Sequence, residues 1–166
     1  VFADEKIDSS QEQSRAWERH KSEERRSKGE MSDQTSQLDG VAHSMPALIR
    51  AGKLQKRAAD VGFDWPDIDG PIAKVKEELA EVKAELDDGG NRSRLEAEIG
   101  DLLFACVNLA RHAHVDPESS LRQANGSFER RYRAMEKMLV DEGQQMQQLD
   151  LEAMEQLWNR AKAEEI

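Results

Sequence analysis

Apolar side chains recur every three or four residues through most of the chain beyond residue 46. This spacing is typical of helices that bury one face. Five such stripes follow one another and begin at Ala47, Ile72, Leu95, Leu121 and Leu151. Gly62, Gly89-Gly90 and Gly143 interrupt the pattern, while β-branched residues are scattered and strict alternation is absent. The sequence therefore predicts an all-α fold, a helical bundle of four to five core helices with antiparallel neighbours.

Local features refine this bundle. The third stripe is apolar on all sides between Leu102 and Val107. Helices that are apolar all round are typically buried, so we predict that this helix is central and that Cys106 lies in the core. Two helix starts are also marked, because Asp116-Pro117 combines a capping carboxylate with proline at the first helical position, and an aspartate precedes the last stripe.

The first 46 residues differ from the rest, since they contain few apolar side chains and many Glu, Arg and Lys around a lone Trp17. Such a composition cannot build a core by itself. We predict a polar segment over residues 1–46, either a solvated helix or a tether that orders against a partner, followed by a helical domain over residues 47–166. Asp39-Gly40 marks a turn near the end of the polar segment.

The charge balance restricts the partners that can be expected. Charged residues make up 35% of the chain and the net charge is −10, which argues against general binding of nucleic acid or of an anionic membrane surface. No apolar run approaches the ~20 residues of a membrane span, and no signal peptide is visible. The single cysteine excludes an internal disulfide and a CxxC metal pair. Together these features lead us to expect a cytoplasmic protein.

Acidic residues form two groups at helical spacing. Glu77-Glu78-x-x-Glu81 lies in the second stripe, and Glu98-x-x-Asp101 lies in the third. Residues three apart are neighbours on a helix surface, so each helix presents two carboxylates in the same direction. Four converging carboxylates repel one another and are costly to desolvate, which protons or a bound cation would relieve. Because all the donors are oxygens, the expected ions are Mg²⁺ and Mn²⁺.

Other interpretations of these acids exist. In an ordinary solvated face, Lys74, Lys76 and Lys83 would pair with the carboxylates at the surface. A di-iron bundle would require Glu-x-x-His pairs, and we discount it because the third residue on is Glu81 or Asp101, never His. The pattern alone leaves the metal site and the solvated face both open.

Longer motifs help to decide between the metal site and the solvated face. They are Phe63-Asp64-Trp65-Pro66, Glu77-Glu78-Leu79-Ala80-Glu81, Glu98-Ile99-Gly100-Asp101-Leu102-Leu103-Phe104-Ala105, Val107-Asn108-Leu109-Ala110-Arg111, Asp116-Pro117-Glu118, Ala124-Asn125 and Phe128-Glu129-Arg130-Arg131. These motifs resemble the C-terminal half of MazG, a family of all-α nucleoside triphosphate pyrophosphohydrolases. The resemblance covers at least residues 45–165, and Trp17-Glu18 with the charged run after it is similar to the segment that joins the two halves of that tandem protein.

The resemblance implies a magnesium site, with Glu78, Glu81, Glu98 and Asp101 as the ligands and Glu77 as a supporting acid. It also implies a homodimer whose nucleotide pocket is lined by the carboxylate helices and by residues nearer the C-terminus. On this basis residues 47–166 are the catalytic domain, and the polar segment joins them to an N-terminal half that the chain lacks.

Four residues are implied to bind the nucleotide: Asn125, Arg131, Trp158 and Lys162. A guanidinium fits phosphate oxygens bidentately, although Arg131 could instead pair with an acid on its own helix. Trp158 and Lys162 share a face of the last helix, where the indole could stack on a base and the ammonium could contact phosphate. Packing of Trp158 into the core is the alternative.

Ser127 departs from the family pattern, which usually has Lys two residues after the Asn of the fourth helix. The neighbouring Gly126 is also unusual, since glycine inside a helix costs up to about 1 kcal/mol against alanine. A phosphate-binding cation is therefore missing from its expected place. This implies weaker triphosphate affinity, replacement by a different cation, or a partly impaired site.

The hypothesis that follows is magnesium-dependent hydrolysis of nucleoside triphosphates to the monophosphate and pyrophosphate. One alternative is a regulatory or dimerisation module that binds nucleotide or a protein partner with little turnover. Another is a structural helical bundle with an acidic surface, which would not gain thermal stability from magnesium.

Overall fold

The computed structural model describes residues 36–164, and the predicted helix or tether around Trp17 lies outside them. This part of the chain contains no strand and folds into α-helices joined by short connections, as the hydrophobic pattern predicts. The helices are α1 (Ala47–Ala59), α2 (Asp69–Asp87), α3 (Arg92–His112), α4 (Pro117–Asp141) and α5 (Leu151–Ala163), with one 3₁₀ turn at Met146–Gln148. The all-α prediction is confirmed.

Side-chain caps explain where two of the helices begin. The carboxylate of Asp116 accepts a hydrogen bond from the Ser119 N–H at 2.7 Å, and Pro117 takes the first helical position of α4. Asp150 caps α5 in the same way, through the Ala153 N–H. Each cap satisfies a backbone donor that the first turn of a helix leaves open. The predicted starts of α4 and α5 are therefore confirmed.

The described chain divides into two compact units, and the boundary lies between Val41 and Ala42. On the first side, residues 37–40 form the predicted turn, and Gly40 has the positive φ that this turn requires. The second side, from residue 42 onward, holds the five helices of the described residues.

The helices α2 and α3 form an antiparallel hairpin, which is the most extensive helix pairing in the fold. Its turn contains Gly89 and Gly90 with φ of 84° and 62°, a conformation that other residues rarely adopt. Near this turn, Arg94 of α3 reaches back to Glu85 of α2, with 3.5 Å between Nη1 and Oε1. The hairpin brings the middle of α2 opposite the first half of α3, where the acidic motifs lie.

A second contact region joins α4 to α5. Its buried side chains are Met135, Leu139, Leu157 and Ala161, and Trp158 packs against them from the edge. This cluster fixes α5 against the second half of α4, and it orients the face of α5 that carries Trp158.

The prediction that α3 is central and buried is correct only in part for the single chain, since α3 contacts α1, α2 and α4 but is not fully buried. Ala105 and Val107 are buried, but Leu103 is 54% exposed, and Phe104 and Cys106 are exposed as well. The expected core position of Cys106 is therefore also wrong. The physical reason is that the helices packed on α3 within residues 42–164 cover one side of it, so a stripe that is apolar all round keeps an uncovered side.

Candidate active site

Three carboxylates converge across the α2–α3 hairpin, and we call them the acidic cluster: Glu78 of α2, with Glu98 and Asp101 of α3. One carboxylate oxygen from each residue lies within 4.8 Å of the others. Glu98 and Asp101 are three residues apart, so they share a helix face, and the antiparallel packing of α2 brings Glu78 opposite them. The spacing within α3 predicts the shared face of Glu98 and Asp101, whereas the register of the hairpin selects Glu78 on α2.

Solvent exposure increases across the acidic cluster. Glu78 is only 4% exposed, Glu98 is half-buried and Asp101 is exposed. An apolar turn directly after Asp101 suggests that Glu98 and Asp101 both enter the bundle. For Asp101 this is wrong, because its side chain is exposed and the buried positions of α3 begin only at Ala105, one turn further along the helix. A cation could therefore reach the cluster from solvent while still meeting one desolvated carboxylate.

Lys74 partly neutralises the buried end of the cluster. Its Nζ lies 2.6 Å from Oε1 of Glu78 and 2.8 Å from Oε1 of Glu77. Hydrogen bonds to Glu77 and then to Glu78 raise the pKa of Lys74, so its positive charge is firmly held. The pairing predicted for a solvated face thus exists at Lys74, but one of its partners is a buried carboxylate. Glu77 lies beside the cluster and shares this lysine with Glu78.

Glu81 is one turn beyond Glu78 on α2 and is not one of the three converging carboxylates. Loss of hydration raises its pKa, and the negative charges of Glu78 and Glu98 raise the pKa further. The electrostatic field of the cluster therefore extends to Glu81. Its role as a fourth metal ligand stays a prediction.

An open groove of about 630 Å³ lies along α4 and α5. Its lining includes Asn125, Ser127, Phe128, Arg131 and Trp158. The guanidinium carbon of Arg131 lies 5.5 Å from the ring centroid of Trp158, within cation–π range. The Phe128 ring lies 5.4 Å from that of Trp158, centroid to centroid. The groove thus combines aromatic faces with a guanidinium.

Three of the four predicted nucleotide-binding residues meet in this groove: Asn125, Arg131 and Trp158. Lys162 is exposed one turn beyond Trp158 and is not among the lining residues. No member of the acidic cluster lines the groove, so the described residues form two separate groups of candidate side chains.

A polar network that the sequence does not predict lies at the far end of the hairpin. Arg111 donates to both carboxylate oxygens of Asp64, at 2.8 Å through Nη1 and more closely through Nη2. Nε2 of His112 lies 2.9 Å from Oδ1 of Asp64, and Oδ1 of Asn108 accepts from Nε and Nη2 of Arg111. No spacing pattern pairs Asp64 with Arg111 or singles out His112. The signal in the sequence that points to this pair is that Asp64 and Arg111 both belong to motifs that carry the family resemblance.

The network fixes the loop that leads into α2. Asp64 belongs to this loop, and its partners lie at the C-terminal end of α3. The loop is also held by Trp65, whose ring covers Gly70 so closely that a Cβ there would lie 2.5 Å from a ring carbon. These contacts hold the start of α2 against the end of α3, and they therefore help to set the register in which Glu78 meets the acids of α3.

We predict that Asp64→Asn lowers the free energy of unfolding at pH 7 by about 1–2 kcal/mol, because it removes a charge-assisted pair that is partly exposed. The hydrogen bond from Arg111 is the largest cause that lowers the pKa of Asp64 in the folded state. A depressed folded pKa stabilises the fold above the unfolded value of about 3.9 and loses this effect as the pH falls below it.

Urea unfolding at pH 7 and at pH 3 measures this difference, with Asp60→Asn at the exposed end of α1 as the control. A gap between wild type and Asp64→Asn that is as large at pH 3 as at pH 7 would refute the assigned role of the Asp64 charge.

Five helices and an acidic cluster across one hairpin define an all-α protein with a candidate metal centre. A nucleoside triphosphate pyrophosphohydrolase of Escherichia coli K12 is 46% identical over 167 residues, which cover the whole chain and 62% of that relative. The pyrophosphohydrolase/pyrophosphatase MazG of Thermotoga maritima is 38% identical over 146 residues, covering 88% of the chain and 54% of that relative. YabN of Bacillus subtilis is 39% identical over 165 residues, or 99% of the chain and 33% of that relative. No family model matches the chain.

These identities confirm the resemblance found in the motifs, and the chain is MazG-like over most of its length. The chain spans 62% of the Escherichia coli relative and about half of the Thermotoga maritima relative. No helix among residues 36–164 combines the length and the apolar character that crossing a membrane requires.

Proposed function

We propose that the chain hydrolyses nucleoside triphosphates to the nucleoside monophosphate and pyrophosphate with the help of magnesium. The observation that carries this proposal is the convergence of Glu78, Glu98 and Asp101 within 4.8 Å, with one of the three buried. Three carboxylates at this distance repel one another, and a divalent cation would relieve that repulsion. The Escherichia coli and Thermotoga maritima relatives, which are named as nucleoside triphosphate pyrophosphohydrolases, support the same reaction.

The donor set fits magnesium, or manganese in its place. All three groups are carboxylate oxygens, which hard divalent cations prefer, and the exposed side at Asp101 leaves room for water and phosphate oxygens as further ligands. Glu78, Glu98 and Asp101 would hold the ion, with Glu81 as a fourth ligand. When bound, the ion would neutralise charge on the phosphates and lower the pKa of a coordinated water.

The protein's own side chains have separate tasks in this proposal. Trp158 and Phe128 present aromatic faces on which a base can stack, and Arg131 beside them can hold phosphate oxygens bidentately. Asn125 in the groove wall can donate to or accept from the nucleotide, and Lys162 would reach the phosphates from the next turn of α5. Glu81 or a neighbouring acid would also orient the water that attacks the α-phosphorus.

We also propose that the functional unit is a homodimer. Several large apolar side chains on the α2–α3 hairpin are exposed in the single chain, namely Leu79, Leu86, Ile99 and Leu103. Several large exposed apolar side chains on one pair of helices are typical of an interface. A second copy would cover it and would complete the burial that the apolar pattern of α3 predicts. Light scattering of the purified chain should give twice the mass of the monomer, and a monomeric mass would refute this assembly.

A regulatory nucleotide-binding module is the second candidate. Two observations favour it: the acidic cluster and the groove share no residue, and Ser127 stands in the groove where the family usually has Lys. In this case the groove would bind nucleotide while the acids contribute little turnover.

Product analysis separates the two candidates. The purified chain is incubated with a panel of nucleoside triphosphates, with and without magnesium, and the products are identified by chromatography. We expect monophosphate and pyrophosphate, formed only with magnesium. Diphosphate and orthophosphate would show that a different bond is cleaved and would overturn the proposal. Nucleotide binding without any product would favour the regulatory candidate.

A further inference from the structure

Arg130 occupies an unusual position at the edge of the groove. Its side chain turns back along α4, and Nη2 donates to the hydroxyl oxygen of Ser127 at 3.1 Å. Ser127 itself lines the groove. The guanidinium of Arg130 is therefore held next to the groove wall. Arg130 is not itself a lining residue, but it directly precedes the lining residue Arg131.

Gly126 lies beside this guanidinium. A Cβ at residue 126 would lie 3.4 Å from Nη1 of Arg130, at the edge of ordinary van der Waals contact. The glycine leaves this side of the helix turn open, and the hydroxyl of Ser127 supplies the acceptor for Arg130.

The helical geometry places Ser127 between two arginines. At about 100° per residue, Arg130 lies about 60° to one side of Ser127 around the helix, and Arg131 lies about 40° to the other side. Arg131 rests over the face of Trp158, whereas Arg130 is fixed on the hydroxyl of Ser127. Two guanidinium groups therefore flank the same stretch of groove wall.

We propose that Arg130 is a second phosphate-binding residue of the groove and that Ser127 positions it. This inference rests on the proposed function, since it assigns the contact to the phosphate chain of the nucleoside triphosphate. Arg131, beside the aromatic rings, contacts the phosphates near the nucleoside, and Arg130 contacts the phosphates farther along the chain. Arg130 therefore discriminates a triphosphate from the monophosphate product.

Equilibrium binding of a non-hydrolysable triphosphate analogue with an α,β-methylene bridge tests this directly, with magnesium present and the matching monophosphate as the second ligand. We expect Arg130→Ala to weaken binding of the analogue about tenfold, the usual size for loss of a charged hydrogen-bond partner, and to leave monophosphate binding within about twofold. The matched control is Arg133→Ala on the same helix, whose side chain pairs with Glu129 at 3.5 Å. It should bind both ligands as the wild type does.

Variants of the positioning residue separate a direct contact from a general charge effect. Ser127→Ala keeps both arginines but removes the acceptor that holds Nη2 of Arg130, so it should weaken binding of the analogue less than Arg130→Ala does. The double variant Ser127→Ala/Arg130→Ala should bind like Arg130→Ala alone, because the serine acts through the arginine. Additive losses in the double variant would overturn the positioning role.

The binding assay keeps this inference distinct from the proposed function. Equal analogue affinity in Arg130→Ala and the wild type overturns the inference, even if the wild type hydrolyses triphosphates normally. A wild type that binds the analogue through Arg130 but forms no product overturns the proposed hydrolysis and leaves the assignment of Arg130 intact. Failure of the wild type to bind the analogue overturns both.

Discussion

Glu98→Gln is expected to lower triphosphate turnover about 10³-fold while the helical content stays unchanged. The substitution keeps the size of the side chain but removes one of the three negative charges that would hold the cation, and metal-supplied charge stabilisation is worth several kcal/mol of barrier. Steady-state kinetics with saturating magnesium measure the loss, and circular dichroism confirms the fold.

The matched control is Glu96→Gln, two residues earlier on α3, whose exposed side chain pairs with Arg92 at 2.9 Å. It should retain wild-type turnover. Thermal unfolding gives a second readout, because removing a charge from the acidic cluster relieves repulsion in the metal-free chain. Glu98→Gln should therefore melt no lower than the wild type without magnesium and should gain less stability when magnesium is added. Wild-type turnover in Glu98→Gln would contradict the assignment of the cluster.

Trp158→Ala is the second change with a large expected effect. Base stacking on an aromatic side chain is worth about 1–3 kcal/mol, so nucleotide affinity should fall about tenfold or more. The variant also loses the ring against which Arg131 rests and the contact with the cluster around Met135, which should lower the free energy of unfolding by about 3 kcal/mol.

Trp158→Phe separates these two effects, because a smaller aromatic ring keeps much of the packing and still offers a stacking face. Calorimetric titration of nucleotide and urea unfolding are measured on both variants. We expect Trp158→Phe to recover most of the stability and part of the affinity. Unchanged nucleotide affinity in Trp158→Ala would mean that the groove does not bind the base.

The helices of this fold could be predicted because their signals are local. The apolar spacing, the cap at Asp116 and the glycines between the stripes each depend on residues within a few positions of one another. The three-residue spacing of Glu98 and Asp101 is likewise local, and it is sufficient to place both acids on one face of α3. Which acid of α2 meets them depends on the register of the hairpin, and periodicity carries no information on that register.

The features that were missed or wrongly predicted share one cause. Each of them depends on contacts between distant parts of the sequence or on surface that the single chain leaves uncovered. Asp64 and Arg111 are 47 residues apart, and nothing in the local pattern of either one indicates the other. The pattern of α3 correctly indicates an apolar surface on all sides, but the single chain covers only part of it, and Cys106 falls on the uncovered part.

Titration of the chain with Mn²⁺, followed by the paramagnetic resonance signal of the free ion, tests the acidic cluster most directly. The wild type should remove Mn²⁺ from solution, and magnesium should compete for the same site. Glu98→Gln should weaken this binding at least about tenfold, whereas Glu96→Gln should bind as the wild type does. Equal Mn²⁺ binding by Glu98→Gln and the wild type, or no binding by either, would contradict the metal site on which the proposed hydrolysis depends.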